Sequence, residues 1–181
     1  MGPIEIVWGS LIIIFGLIGL VRGFIRELGV TTILAFLLFL FTFFQKQVDM
    51  GLDLLVALSR LSPPNGVQAN LLRYGIYVIL IGLVAFISYE GETLTFQGKP
   101  VPGLLGIVLN LTIGLWNGYL IVGSLWHYMH VLDYPISFWG LFQQPLSPGA
   151  SVLVTLLPPA LIPPLGFLAI AAFLLFMRVV K

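Results

Sequence analysis

Long apolar runs separated by short polar or charged stretches constrain this chain more than any other feature. A helix needs roughly 17 to 25 mostly apolar residues to cross the hydrocarbon core of a bilayer. Runs of about this length occupy residues 4–21, 29–44, 74–89, 104–126 and 165–180. They predict an all-α fold: a polytopic integral membrane helix bundle of about five transmembrane helices with interfacial loops, forming a single membrane domain over residues 1–181.

The composition excludes an ordinary soluble domain. Hydrophobic residues make up 59% of the 181 residues and charged residues 8%, and the mean hydropathy is +1.09. A soluble domain has about 25% charged residues. The net charge of +1 offers no basic surface for phosphates. We therefore expect the lipid bilayer, other membrane proteins or further copies of the chain as partners, and no nucleic acid.

Scarce charged residues cluster between the first two runs, in the stretch GLIGLVRGFIREL. Arg22, Arg26 and Glu27 lie so close to both runs that they predict a tight turn between two helices, with Gly23 easing the bend. One interpretation is that the positive charges only anchor the turn on the cytoplasmic side. The other assigns all three residues to lipid or partner binding, because a guanidinium matches a lipid phosphate or a carboxylate.

Small residues and amides recur at helical spacings in the first and fourth runs. Glycines three or four residues apart share one helix face and let another backbone approach closely. An asparagine amide in hydrocarbon needs a partner, because leaving it unpaired costs a few kcal/mol. The predicted helix-packing residues are Gly16, Gly19, Gly23, Asn110, Gly114, Asn117 and Gly118. The alternative for the two asparagines is that they line a small polar path.

Three segments outside the apolar runs have predicted structures of their own. Regularly spaced leucines before the turn at residues 62–66 indicate a short amphipathic helix in the membrane interface. The aromatic and proline-containing stretch 127–149 is interpreted as an interfacial loop. Paired prolines within residues 151–164 argue against a continuous helix there and favour a short re-entrant or interfacial piece.

The distribution of lysine and arginine predicts the orientation. With five spans, five basic residues lie on the side of the Arg22–Arg26 turn and three on the other side. Cytoplasmic loops carry the excess of these residues, so we expect the N-terminus outside and the C-terminus in the cytoplasm. If the last run does not span, the count becomes three against five.

Groups suited to catalysis are few. The chain has no cysteine, and it shows no nucleophile elbow, phosphate-binding loop or dinucleotide-binding motif. His127 and His130 are weak candidate metal ligands, because no third ligand lies near them in sequence. We expect no enzymatic activity, no metal and no cofactor. Since no run contains an internal charged residue, ion-coupled transport by this chain alone is also disfavoured.

The opening stretch resembles the start of the colicin V production protein (CvpA) family. In that family a first helix ends in an Arg-Gly turn followed by a charged pair, matched here by Arg22, Gly23, Arg26 and Glu27. The later LNLTIGLWNGYLIV resembles the glycine-rich fourth helix of the family, with Asn117 where the family commonly has an arginine. The resemblance implies a bacterial inner-membrane protein without enzymatic activity or known cofactor, linked to bacteriocin export and envelope maintenance.

Two other functions stay open. An accessory structural subunit of a large respiratory or photosynthetic membrane complex would also show glycine-rich helix faces, many aromatic rings and few charges. A small transporter or channel would use Asn117 to line a polar path, and its solute flux would be lost in Asn117→Leu.

Overall fold

The computed structural model describes residues 3–61, 66–91, 94, 96, 98–139 and 147–179, and within these residues it contains helices and no β-strand. The prediction of an all-α fold is confirmed. The elements are α1 (Ile4–Arg22), α2 (Phe24–Phe43), α3 (Gln45–Leu58), α4 (Val67–Glu90), α5 (Gly103–Gly118), a π-helical turn (Tyr119–Gly123), α6 (Ser124–Val131), a 3₁₀ turn (Ser137–Trp139), α7 (Pro148–Thr155), α8 (Pro158–Leu161) and α9 (Pro164–Val179).

Four helical stretches among the described residues are long and apolar enough to cross a membrane. They are α1, α2, α4 and the continuous helix Gly103–Val131, which joins α5, the π-helical turn and α6. The predicted fifth span corresponds to α9, which has 16 residues. At 1.5 Å per residue α9 is about 24 Å long, shorter than a hydrocarbon core of roughly 30 Å. Residue 180, the last position of that predicted span, lies outside the described residues.

Contacts between helix termini define the two ends of the bundle. Arg22, the last residue of α1, donates a hydrogen bond to the backbone carbonyl of Tyr89 near the end of α4. We call this the Arg22 end. Ser147, just before α7, donates to the carboxylate of Glu5 in the first turn of α1. We call this opposite side the Glu5 end.

The apolar core lies between α2, α4, α9 and the π-helical turn. Leu34, Leu38, Ile81 and Leu120 are at most 2% exposed and belong to one buried cluster, to which α9 contributes Phe167. Lipid tails are as apolar as leucine, so close packing, rather than removal of apolar surface from water, stabilises such a core in a membrane. This packing brings the polar ends of several helices together.

The predicted turn at residues 22–27 is shorter than expected. Gly23 alone connects α1 to α2, and its backbone has φ +87° and ψ 152°, a conformation open essentially to glycine. The second helix therefore begins at Phe24 and not at residue 29. Arg26 and Glu27, predicted to lie in the turn, are instead in the first turn of α2.

The stretch predicted as a loop from residue 127 onward begins as a helix. α6 continues the preceding helix to Val131, because Trp126 and Met129 are buried in a second apolar cluster. His127 and His130 are thus helical residues. The amphipathic helix expected before residue 62 is α3, and it begins at Gln45.

The proline-rich segment 151–164 forms no continuous helix, as predicted. Pro158 begins α8, at a position where the missing N–H has no intrahelical partner to lose. A Cβ placed on Gly123 would lie 2.6 Å from Cδ of Pro158, and the hydroxyl of Tyr119 donates to the carbonyl of Leu156. The segment therefore packs against the π-helical turn.

Candidate functional site

The carboxylate of Glu27 is the centre of a polar network at the Arg22 end. Glu27 is 0% exposed although it lies in the first turn of α2. Its Oε2 accepts hydrogen bonds from Nδ2 of Asn117, at 2.7 Å, and from the hydroxyl of Tyr89, at 3.1 Å. Side chains of α4 and α5 thus both bind a carboxylate of α2. These contacts compensate for removing the carboxylate from water.

Arg22 supplies the opposite charge from the end of α1. Its Nε lies 3.1 Å from Oε1 of Glu27, without the alignment of a hydrogen bond, so both atoms lack a hydrogen-bond partner within the described part of the chain. The guanidinium also donates to the carbonyl of Tyr89 and lies 4.5 Å from the centre of the Tyr89 ring. A cation over an aromatic face and beside helix C-terminal carbonyls is stabilised by both. Arg22 therefore joins the ends of α1 and α4.

Asn117 and Thr31 complete this set, which we call the Glu27 network (Arg22, Glu27, Thr31, Tyr89 and Asn117). Asn117 is fully buried, and its Nδ2 also donates to the backbone carbonyl of Glu27, at 3.0 Å. Its Oδ1 lies 2.7 Å from the hydroxyl of Thr31, which is also 3.0 Å from that carbonyl. The network connects α1, α2, α4 and α5 through hydrogen bonds and one ion pair.

Asn110 binds the start of α2 from α5. Its Oδ1 accepts a hydrogen bond of 2.7 Å from the backbone N–H of Phe24. The first N–H groups of a helix have no intrahelical acceptor, and Gly23, the residue before α2, has no side chain to supply one. Asn110 therefore acts as an N-cap from another helix. The two asparagines, seven residues apart on α5, bind the same turn of α2.

Glycines allow α1 and α5 to meet backbone to backbone. A Cβ on Gly19 would lie 2.5 Å from the carbonyl oxygen of Asn110 and 2.7 Å from Cα of Gly114. Gly16 and Gly118 face Leu115 and Phe15 in the same crossing. The structure thus places four of the predicted packing glycines together.

Gly23 takes no part in this crossing. No described atom lies within 4 Å of a Cβ built on it, so its role is the backbone conformation of the turn.

The predicted runs 29–44 and 74–89 contain no charged residue, but the helices that include them begin earlier and take in charged positions. α2 contains Glu27, and α4 contains Arg73, which is 8% exposed. Glu27 pairs with Arg22 at the end of α1, and Arg73 pairs with Asp53 on α3, which is why a charged residue is tolerated at each of these helical positions. The sequence-based argument against ion-coupled transport therefore applies to the predicted runs and not to these helix starts.

The three residues predicted to bind lipid or a partner separate in space. The carboxylate of Glu27 faces Asn117 and Tyr89 inside the bundle, whereas Arg26, one residue earlier on α2, is exposed. Arg22 lies between them, and its side chain is 20% exposed. Only the two arginines reach the surface.

His127 and His130 lie in α6, toward the Glu5 end. Nδ1 of His130 is 3.1 Å from the hydroxyl of Tyr134, while the ring of His127 packs edge-on against Tyr128. Among the described residues no group of three His, Asp or Glu side chains is placed to hold a metal ion. The two rings therefore contact different aromatic neighbours in the protein.

A second polar region, missed by the sequence analysis, is a cavity of about 390 Å³ lined by residues of α3, α4 and α6. Arg73 forms an ion pair of 2.8 Å with Asp53 and donates to Asn70, at 2.9 Å. Tyr77 and Tyr128 stack at 3.8 Å beside it. The available signal was the spacing of Asp49 and Asp53, four apart on α3, and of Asn70 and Arg73, three apart on α4.

Asp49 lines the same cavity, on a helix outside the candidate spans. Partial burial and the negative charge of Asp53 raise the pKa of Asp49, and Arg73 opposes the shift. An acid with a raised pKa binds more protons in the folded state, so its contribution to the free energy of unfolding falls as the pH rises through its folded pKa.

Asp49→Asn is therefore expected to raise the thermal stability of the protein in detergent at pH 7. The gain should disappear below pH ~4, where aspartate is protonated in both states. Asp53→Asn is the matched control: it removes the ion pair with Arg73 and should lower stability at pH 7, by up to about 1 kcal/mol because Asp53 is 67% exposed. A loss of stability in Asp49→Asn at pH 7 would contradict the cost of burial and the repulsion by Asp53 that are assigned to this carboxylate.

Comparisons with protein-family models, with characterised proteins and with solved structures each gave no match to this chain.

Proposed function

We propose that this chain is a non-enzymatic, CvpA-like integral protein of the bacterial cytoplasmic membrane that serves envelope maintenance or bacteriocin export. The observation that carries the proposal is the position of the residues behind the resemblance. Arg22, Gly23 and Glu27 connect α1 to α2 and bind α4 and α5. In this position the motif connects four helices of the bundle, and its carboxylate is buried. It is therefore suited to a structural role.

The environment of Glu27 supports a structural role for this carboxylate. A general acid or base has to reach the proton of a substrate, whereas Glu27 is 0% exposed and its Oε2 already accepts two hydrogen bonds. The carboxylate is therefore suited to connecting helices.

We further propose that α9 acts as the fifth span, which places the C-terminus at the Arg22 end. α9 packs along α2, where it buries Phe167 and Ala171. Its 16 residues match a locally thinned bilayer at modest cost. Arg178 in its last turn then joins Arg22 and Arg26 on the cytoplasmic side. A C-terminal tag that reacts only from outside the cell would overturn this orientation.

The test of the function is a deletion strain of the encoding bacterium complemented with variants of the chain. We expect the deletion to sensitise cells to detergent and to cell-envelope antibiotics. The parent chain and the surface variant Glu90→Ala should restore resistance, while Glu27→Ala should restore it poorly at matched expression. Unchanged resistance of the deletion strain would contradict the proposal.

Biochemical isolation separates the alternative functions. Purified in mild detergent, the protein should migrate on a native gel alone or as a homo-oligomer. Co-migration with a redox or pigment complex would instead identify an accessory subunit. Solute flux in reconstituted vesicles that is lost in Asn117→Leu would identify a transporter or channel.

A further inference from the structure

A cleft of about 510 Å³ opens at the Arg22 end, on the outer side of the Glu27 network. One wall is the start of α2, from Gly23 to Arg26, together with Arg22. The opposite wall is the segment before α5, including Gly98, Pro100 and Val101. Its volume lies in the range of small-molecule sites, about 300–1,000 Å³. The cleft is therefore large enough for a small polar group with apolar neighbours.

Positive charge converges on this cleft. Arg22 and Arg26 both line it, and the N-terminus of α2 adds roughly half a positive charge. Glu27 compensates for one of the two guanidinium charges, and it does so from inside the bundle, where its carboxylate faces Asn117 and Tyr89. A net positive field therefore remains in the cleft.

Arg26 is the unusual member of this group. A cation in the first turn of a helix is opposed by the helix dipole, yet Arg26 occupies this position in α2 and forms no ion pair or hydrogen bond with another described side chain. The backbone N–H groups of Ile25 and Arg26 lie in the same turn, where no acceptor exists within the helix. An anion bound in the cleft would offset the unfavourable dipole and supply that acceptor.

We propose that the cleft binds a phosphate group through Arg22, Arg26 and the start of α2, and that the phosphate belongs to the headgroup of an anionic phospholipid. The planar guanidinium matches the geometry of phosphate oxygens. Apolar side chains border the cleft, because Ile25 and Val101 line it. The acyl chains of a lipid bound in the cleft can therefore pack against these apolar side chains. The inference goes beyond the proposed function, since it holds for any process that the protein serves.

The test uses the full chain in detergent, titrated with phosphatidylglycerol and, separately, with phosphatidylcholine, and followed by native mass spectrometry. We expect tighter binding of phosphatidylglycerol. Arg26→Gln should weaken it roughly tenfold, the size of effect of one charge-assisted contact. Arg26 is exposed and lies outside the Glu27 network, so this variant should keep the far-UV circular dichroism spectrum of the parent.

Arg60→Gln is the matched control, since Arg60 is exposed and lies outside the residues that line the cleft; it should bind phosphatidylglycerol like the parent.

Competition by sn-glycerol 3-phosphate distinguishes the sources of the phosphate. Absence of competition supports the lipid headgroup, and full competition at equal concentration overturns the lipid in favour of a soluble phosphate compound. Equal binding of phosphatidylglycerol by the parent and Arg26→Gln would overturn the site itself.

Discussion

Glu27→Ala is expected to lower the free energy of unfolding by about 3 kcal/mol. Removing one partner of a buried ion pair typically costs about 3–5 kcal/mol. The lower end applies here, because the side chain of Arg22 is 20% exposed and keeps its contacts with the Tyr89 carbonyl and ring. Unfolding by SDS in mixed micelles, followed by far-UV circular dichroism, measures the change.

A graded series separates charge from shape at this position. Glu27→Gln keeps an acceptor oxygen for Asn117 and Tyr89 and loses the charge and the oxygen beside Arg22. It should cost about half as much as Glu27→Ala, because hydrogen bonds to neutral acceptors are roughly half as strong. Glu90→Ala, at the exposed end of α4, should change stability by less than about 0.5 kcal/mol. If Glu27→Ala resembled Glu90→Ala, Glu27 would not connect the helices.

The positions of the apolar helices could be predicted from the sequence wherever a long run of apolar residues is enough to form a helix. Runs of apolar residues with few charges predicted α1, α2, α4 and the part of the long helix Gly103–Val131 that lies within residues 104–126, since a helix is what such runs form in lipid. α9 shows the limit of that signal. Its run has the right composition, but the paired prolines before it delay the helix until Pro164, and what remains is short for a span.

The Glu27 network was readable only in part. Asparagines seven residues apart on an apolar helix have to find partners in the protein, which follows from the cost of an unpaired amide. The identity of the partners did not follow: Asn117 binds Glu27 ninety positions earlier in the chain, and a single sequence carries no record of such a pair. The charges at residues 22–27 were therefore assigned to the membrane surface, where isolated charges are stable.

Gly19→Ala is the second change with a large expected effect, a loss of up to about 3 kcal/mol. The added methyl would lie 2.5 Å from the carbonyl oxygen of Asn110 and 2.7 Å from Cα of Gly114. Both are backbone atoms, so no side-chain rotation relieves the clash and α1 and α5 have to separate. The same SDS titration measures this loss.

Gly9→Ala on the same helix is the control, and it should have the opposite sign. No described atom lies within 4 Å of a Cβ on Gly9, so alanine should stabilise α1 by roughly 0.5–1 kcal/mol through its helix propensity. Equal effects of the two substitutions would show that helix propensity, and not the crossing, determines the response.

Separating α1 from α5 also moves Asn110 away from Phe24 and Asn117 away from Glu27, because all three contacts share α5. The losses in Gly19→Ala and Glu27→Ala should therefore be less than additive when combined, by more than about 0.5 kcal/mol. Additive losses would mean that the glycine crossing and the Glu27 network stabilise the bundle independently. Non-additivity would identify the crossing as the structure that positions the buried carboxylate.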